Sequence, residues 1–132
     1  MKWLSVLLLF AATMLLQCFV FEKSTDSPTG LPVLTTSAVI NVTQNSAQCG
    51  GIISTEGETA VTERGICYGL NQTPTLADTK SLNGMGPGSF TCAMAGLTSN
   101  TVYYVRAYAT NSVGTGYGGI LSFTTLSTMA GP

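Results

Sequence analysis

The sequence contains no histidine. That removes the commonest general base and the commonest metal ligand together. Charge is almost as scarce, with five Lys and Arg and six Asp and Glu among 132 residues and a net charge of −1. Without a basic surplus there is no electrostatic footprint for nucleic acid, and that partner is excluded. The four cysteines, Cys18, Cys49, Cys67 and Cys92, are spaced too widely for a C-x-x-C zinc or redox motif. No G-x-S-x-G elbow occurs, and the glycine-rich segments 84–88 and 114–119 lack the Lys-Ser/Thr ending of a phosphate loop, so they read as turns. Glu56, Glu58 and Glu63 cluster, and Asp78 lies on a loop, but no alternation of Asp or Asn with Gly builds a calcium loop around them. They read as a solvated strand edge that discourages sheet-to-sheet pairing. Cys67 has no imidazole partner to activate it. These absences imply no enzyme activity, no cofactor and no metal site.

The first thirty residues have a different character. Lys2 precedes an apolar run from Leu4 to Leu16 broken only by Ser5 and Thr13, the pattern of an export signal. Three fates stay open for residues 1–21. Leu15-Leu16-Gln17-Cys18 resembles a lipobox, which makes Cys18 a candidate lipidation site, although Gln17 stands where a small residue is preferred. Ordinary cleavage wants small residues, and no clean A-x-A is present. Phe19-Val20-Phe21 extends the apolar run, so Trp3 to Phe21 is long enough to span a bilayer as an uncleaved helix. Each fate places the remaining chain outside the cytoplasm, and two of the three attach it to the membrane. Residues 22–30 are polar with Pro28 and Gly30 and form a short tether.

Beyond residue 30 no amphipathic helical period of useful length appears. Short strands recur with turn signals between them, the sequence picture of an all-β sandwich. The strands are expected at Leu31–Val42, Ser46–Ser54, Val61–Leu70, Ser81–Asn83, Ser89–Met94, a segment centred on Tyr103–Thr110, and Tyr117–Thr125. The Tyr103 segment is the clearest. Tyr103, Val105, Ala107 and Ala109 alternate with Tyr104, Arg106, Tyr108 and Thr110, and period two with β-branched and aromatic residues means a half-buried strand. Leu97 lies six residues before Tyr103 across a polar Thr-Ser-Asn-Thr turn. That spacing is the mark of a tyrosine corner, in which the phenol bonds back to the turn backbone. Leu97 and Tyr103 are therefore structural, and the expected inward set is Leu97, Tyr103, Val105, Ala107, Ile66, Tyr68, Phe90 and Met94.

Several segments, in order, resemble the fibronectin type III domain in the variant common on bacterial surface proteins: S-A-x-x-G-G at Ser46–Gly51, V-T-E-R-G-I-C-Y at Val61–Tyr68, G-S-F at Gly88–Phe90, G-L-x-x-N-T-x-Y-Y-V-R-A-Y-A-T-N-S-x-G at Gly96–Gly114, and S-F-T-T at Ser122–Thr125. The resemblance covers about residues 31–126 and implies an immunoglobulin-like sandwich of about seven antiparallel strands. Residues 127–132 form a C-terminal tail. Such domains resemble spacers and adhesive modules, usually in tandem, and L-T-T-S-A at Leu34–Ala38 resembles T-T-L-S-T-M-A at Thr124–Ala130.

In the resembling fold Ser46–Ser54 and Ser89–Met94 are antiparallel neighbours. Ala47 and Ile53 then place Cys49 inward, Phe90 and Met94 place Cys92 inward, and the family alignment puts the two nearly opposite. A Cys49–Cys92 disulfide and two buried thiols both stay open. Cys67 is expected to face outward with no partner. The best binding candidates are Tyr104, Arg106 and Tyr108 on the outward face of one strand, with Tyr117 close on the next. Aromatics with an arginine are the composition of recognition surfaces, while the same residues also suit a pleated surface for propensity alone. The chain thus reads as an exported, non-catalytic surface module, structural or adhesive, in contact with other surface proteins or glycans. Its alternatives are a self-associating subunit of an extracellular fibre and an accessory module of a polysaccharide-processing system.

Overall fold

The computed structural model describes residues 30–128. The segments expected as a signal or anchor with Cys18 and as a tether, up to residue 29, and residues 129–132 of the expected C-terminal tail lie outside the described residues. The strands are β1 (Val33–Thr36), β2 (Ala47–Thr55), β3 (Glu63–Gly69), β4 (Thr79–Leu82), β5 (Gly88–Met94), β6 (Val102–Thr110), β7 (Thr115–Tyr117) and β8 (Leu121–Thr124). One sheet has the order β1-β2-β5. In the other, β4, β3 and β6 lie side by side, and β7 and β8 both pair with the far side of β6. Every pairing is antiparallel.

Two boundaries differ from expectation. The last expected strand is split into β7 and β8, with Gly118 at the break giving its N–H to Ala107. At Gly118 an added Cβ would lie 2.5 Å from Thr36 Oγ1, so the chain bends there because β1 comes that close. The first strand is also shorter than expected. After Thr36 only an isolated bridge, Ile40 to Gln48, continues the pairing, and Asn41 takes a left-handed backbone with φ 52° that no strand sustains.

Alternation decides the core. Val105 is fully buried while Arg106 is half-buried, so the expected register holds. All eight residues expected inward are buried, and they pack with Leu34, Ala47, Ile53 and Val61 between the sheets. Each large aliphatic side chain so buried stabilises by about 1.5–3 kcal/mol against full exposure, an upper bound for a compact unfolded chain. The tyrosine corner forms as the spacing predicts: the Thr98 N–H donates to the Tyr103 hydroxyl at 2.8 Å. Asn100, with φ 50°, makes the turn, since Asn tolerates the left-handed region.

The two ends of the domain leave from opposite poles. Gly30 accepts hydrogen bonds from Glu58 and Asn111, at the pole built by the loops after β2 and β6. Leu126 bonds Thr43 and Asn100, at the other pole, with the loops before β2 and β6.

Candidate functional site

The outward face of the larger sheet is built around β6. In its ladders Tyr108 stands opposite Gly65 of β3 and Tyr117 of β7, Arg106 opposite Cys67, and Tyr104 opposite Gly69 and Ser122. The structure therefore brings Tyr104, Arg106, Tyr108 and Tyr117 onto one face, as the alternation predicts. It does not leave them equally accessible.

Arg106 is already engaged. Its guanidinium lies 3.8 Å over the Tyr117 ring, and its Nε donates to the Pro74 carbonyl at 2.7 Å. Pro74 is fully buried, so the 70–78 loop is drawn down onto the sheet by this bond. Tyr108, expected on an accessible face, is fully buried. The reason is local: Gly65 beside it has no side chain, and the phenol passes that gap to donate to Glu63 Oε2 at 2.6 Å. Burial, and then the Glu63 carboxylate, push the Tyr108 phenol well above its ordinary pKa. Glu63 also meets Lys80 at 3.8 Å, an ion pair of little energetic weight at this exposure. Tyr104 and Tyr117 remain half-buried and available for contact.

Cys67 does lie on this outward face, opposite Arg106 and Lys80, yet it is fully covered. Burial raises its thiol pKa, against the lowering pull of Arg106. It is therefore not a reactive surface thiol. Cys49 and Cys92 stand directly opposite each other on the inner faces of β2 and β5, as free thiols.

A shallow cleft of about 620 Å³ lies at the pole of Leu126, walled by Tyr68, Leu70, Asn71, Asp78, Thr79 and Tyr103. Leu70 is 66% exposed. One Asp78 oxygen is occupied by the Thr75 N–H at 2.8 Å. The cleft presents one apolar surface and hydrogen-bonding groups, with no nucleophile–base pair along it. Among the described residues no group of three Cys, Asp or Glu is placed to hold a metal ion. The acidic cluster disperses on folding: Glu56 accepts from the Val61 N–H at 2.7 Å, while Glu63 serves Tyr108 and Lys80.

Sequence reasoning missed the side chains that hold the loops. Arg64 donates to the carbonyls of Asn83, Gly86 and Pro87 and lies over the Phe90 ring. Asn111 clamps three loops, and Thr125 Oγ1 ties the Thr98 carbonyl to the Thr101 N–H. Asn before a turn is a sequence signal for the second of these, whereas the other two depend on non-local strand pairing.

No family model and no curated protein matches the chain. Solved structures do. The chain is similar to the sensor domain of the anti-sigma factor RsgI4 from Pseudobacteroides cellulosolvens, with TM-score 0.58 and 16% identity over 74% of this chain and 96% of that one. It is similar to the third fibronectin type III domain of the human KIAA0343 protein, with TM-score 0.51 and 18% identity over 81% and 92%. It is also similar to a myokine structure, with TM-score 0.53 and 20% identity over 74% and 98%. At these identities the likeness concerns the fold, and it agrees with the strand order, the tyrosine corner and the two-sheet core described above. The domain is a fibronectin type III-like β-sandwich.

Proposed function

We propose that the protein is an exported, membrane-tethered module without catalytic activity, which holds one pole of its sandwich toward the membrane and offers its side and far pole to other surface proteins or glycans. The observation that carries this reading is the placement of the ends: Gly30 at one pole and Leu126 at the other. A tether at residues 22–30 would then project the cleft and the Tyr104 face away from the bilayer. Half-buried Tyr104, and half-buried Tyr117 with one ring face held by Arg106, suit flat contact with a sugar ring or an apolar side chain.

The test has two arms. Membrane attachment through a lipid requires that Cys18→Ser abolish labelling by a clickable fatty acid and release the protein to the soluble fraction. Contact through the face requires that Tyr104→Ala lose binding to a glycan array or to intact cells while folding normally. Unchanged binding in that variant would move the contact away from this face.

One observation favours a fibre subunit as a second reading. The Thr125 N–H bonds Thr101, so strand alternation turns the backbone groups of Ser122 and Thr124 away from β6. No charged residue occurs from Ala107 to the end of the chain, so this edge lacks the charges that normally block strand addition. Concentration-dependent filaments in the electron microscope would support that reading.

A further inference from the structure

Cys49 and Cys92 are in direct register across β2 and β5 and face the core, 1% and 4% exposed. The neighbouring hydrogen bonds show which kind of pair they form. Gln48 donates its N–H to the Ile40 carbonyl and accepts from the Ile40 N–H, and the Gly50 carbonyl accepts from the Ser37 N–H. Backbone groups alternate sides along a strand, so Cys49 turns its own toward β5. The two cysteines are therefore a hydrogen-bonded pair, with Cα atoms about 5.5 Å apart, inside the span of about 4.4–6.8 Å that a disulfide bridges. Their thiols now point apart. Cys49 Sγ donates to the Ser37 carbonyl at 3.2 Å, and the Cys92 thiol lies against Ser81 and Ile66 of the opposite sheet. The Cβ atoms of such a pair lie toward the long end of about 4.5–5.5 Å, beyond the about 3.5–4.5 Å of a disulfide, so bonding them requires a side-chain rotation at each and a local approach of β2 to β5 with the register kept.

Burial determines when this can happen. Desolvation raises both thiols, Cys49 to about 11, so little thiolate exists in the folded domain and no small molecule reaches it. Before β2 and β5 pair, both thiols are solvated and ionise normally. Cys67 is no competitor after folding, because it lies on the outer face of the other sheet.

We propose that Cys49 and Cys92 close a cross-strand disulfide while the domain folds, with an external disulfide as oxidant, and that burial then seals whichever redox state was reached. The step balances. One thiolate attacks the oxidant's S–S bond and releases a thiolate; the second protein thiolate attacks the mixed disulfide and releases the other. The protein loses two protons and two electrons, and the oxidant becomes two thiols.

The experiment uses the reduced full-length chain. One sample is refolded from denaturant in a mixture of oxidised and reduced glutathione; a second is folded first and then given the same mixture. Both are alkylated in denaturant and digested with trypsin without reduction. Arg64, Lys80 and Arg106 separate the three domain cysteines into peptides 24–64, 65–80 and 81–106, and Cys18 falls in 3–23. Peptides 24–64 and 81–106 should be joined in the first sample and separately alkylated in the second, with 65–80 alkylated in both. The Cys67→Ser chain, which keeps both partners, should give the same joined pair. Separate alkylation of 24–64 and 81–106 in both samples, or either of them joined to 65–80 or 3–23, would overturn the pairing. Equal joining in the second sample would overturn the sealing.

Discussion

Removing the Asn111 side chain should unfasten the pole at which Gly30 lies. Asn111 is 4% exposed. Its Nδ2 donates to the carbonyls of Gly30 and Glu56, both at 2.9 Å, and its Oδ1 accepts from the N–H groups of Val113 and Gly114 at 2.9 and 3.1 Å. At about 1 kcal/mol net for each bond, complete loss would cost roughly 4 kcal/mol. Val113 is exposed and Gly30, Glu56 and Gly114 are half-buried, so water recovers part of that. Asn111→Ala should therefore destabilise by about 2–3 kcal/mol, or lower Tm by roughly 10–20 °C. Asn111→Asp keeps the shape and the acceptor but turns the donor into a second acceptor facing two carbonyls. It should cost more than Asn111→Ala at pH 7. Those carbonyls and burial raise the introduced carboxyl's folded pKa above its unfolded value of about 3.9. The unfolded chain then ionises first, so this variant's stability falls as pH rises above about 4 and is regained as pH is lowered toward it. Urea unfolding of both variants at pH 7 and pH 5 reads this directly. An Asp variant as stable as the parent at pH 7, or an Ala variant within about 0.5 kcal/mol of it, would refute the clamp.

Further outcomes follow from other parts of the molecule. Tyr103→Phe removes the acceptor of the Thr98 N–H and should cost about 1 kcal/mol in urea unfolding, because Thr98 is exposed and its N–H can turn to water. All five tyrosines lie in the domain, and burial raises Tyr68 and, more strongly, Tyr108. A spectrophotometric titration should therefore show phenols ionising above the ordinary tyrosine range. Since the unfolded phenols of these two ionise first, stability should fall as pH rises beyond about 10, and a titration with no phenol above the ordinary range would contradict the burial. Arg106→Ala removes the bond to Pro74 and the stack on Tyr117, so hydrogen exchange should quicken in residues 70–78 while the β2 and β5 amides stay protected. Gly116→Ala places a Cβ 2.1 Å from the Pro32 carbonyl and should destabilise by more than about 2 kcal/mol or abolish folding, read by circular dichroism.

The sequence alone determined the sheet faces. A period of two needs no tertiary information, which is why Tyr103, Val105 and Ala107 fall inward and Tyr104 and Arg106 outward. The corner spacing from Leu97 to Tyr103 is equally local, and its hydrogen bond forms as expected. Facing outward, however, does not mean being exposed. Tyr108 and Cys67 sit on the predicted face but are buried, because a glycine on the adjoining strand admits the phenol and a loop distant in sequence is tied down beside Arg106. Such cover depends on which strands are neighbours, information that periodicity does not carry. The same holds for the clamps at Asn111 and Arg64, whose partners lie up to 81 residues away. The orientation of the cysteine thiols is likewise a tertiary matter. Strand pairing set Cys49 opposite Cys92, and the packing of Ser37 and Ser81 around them decided where each sulfur points.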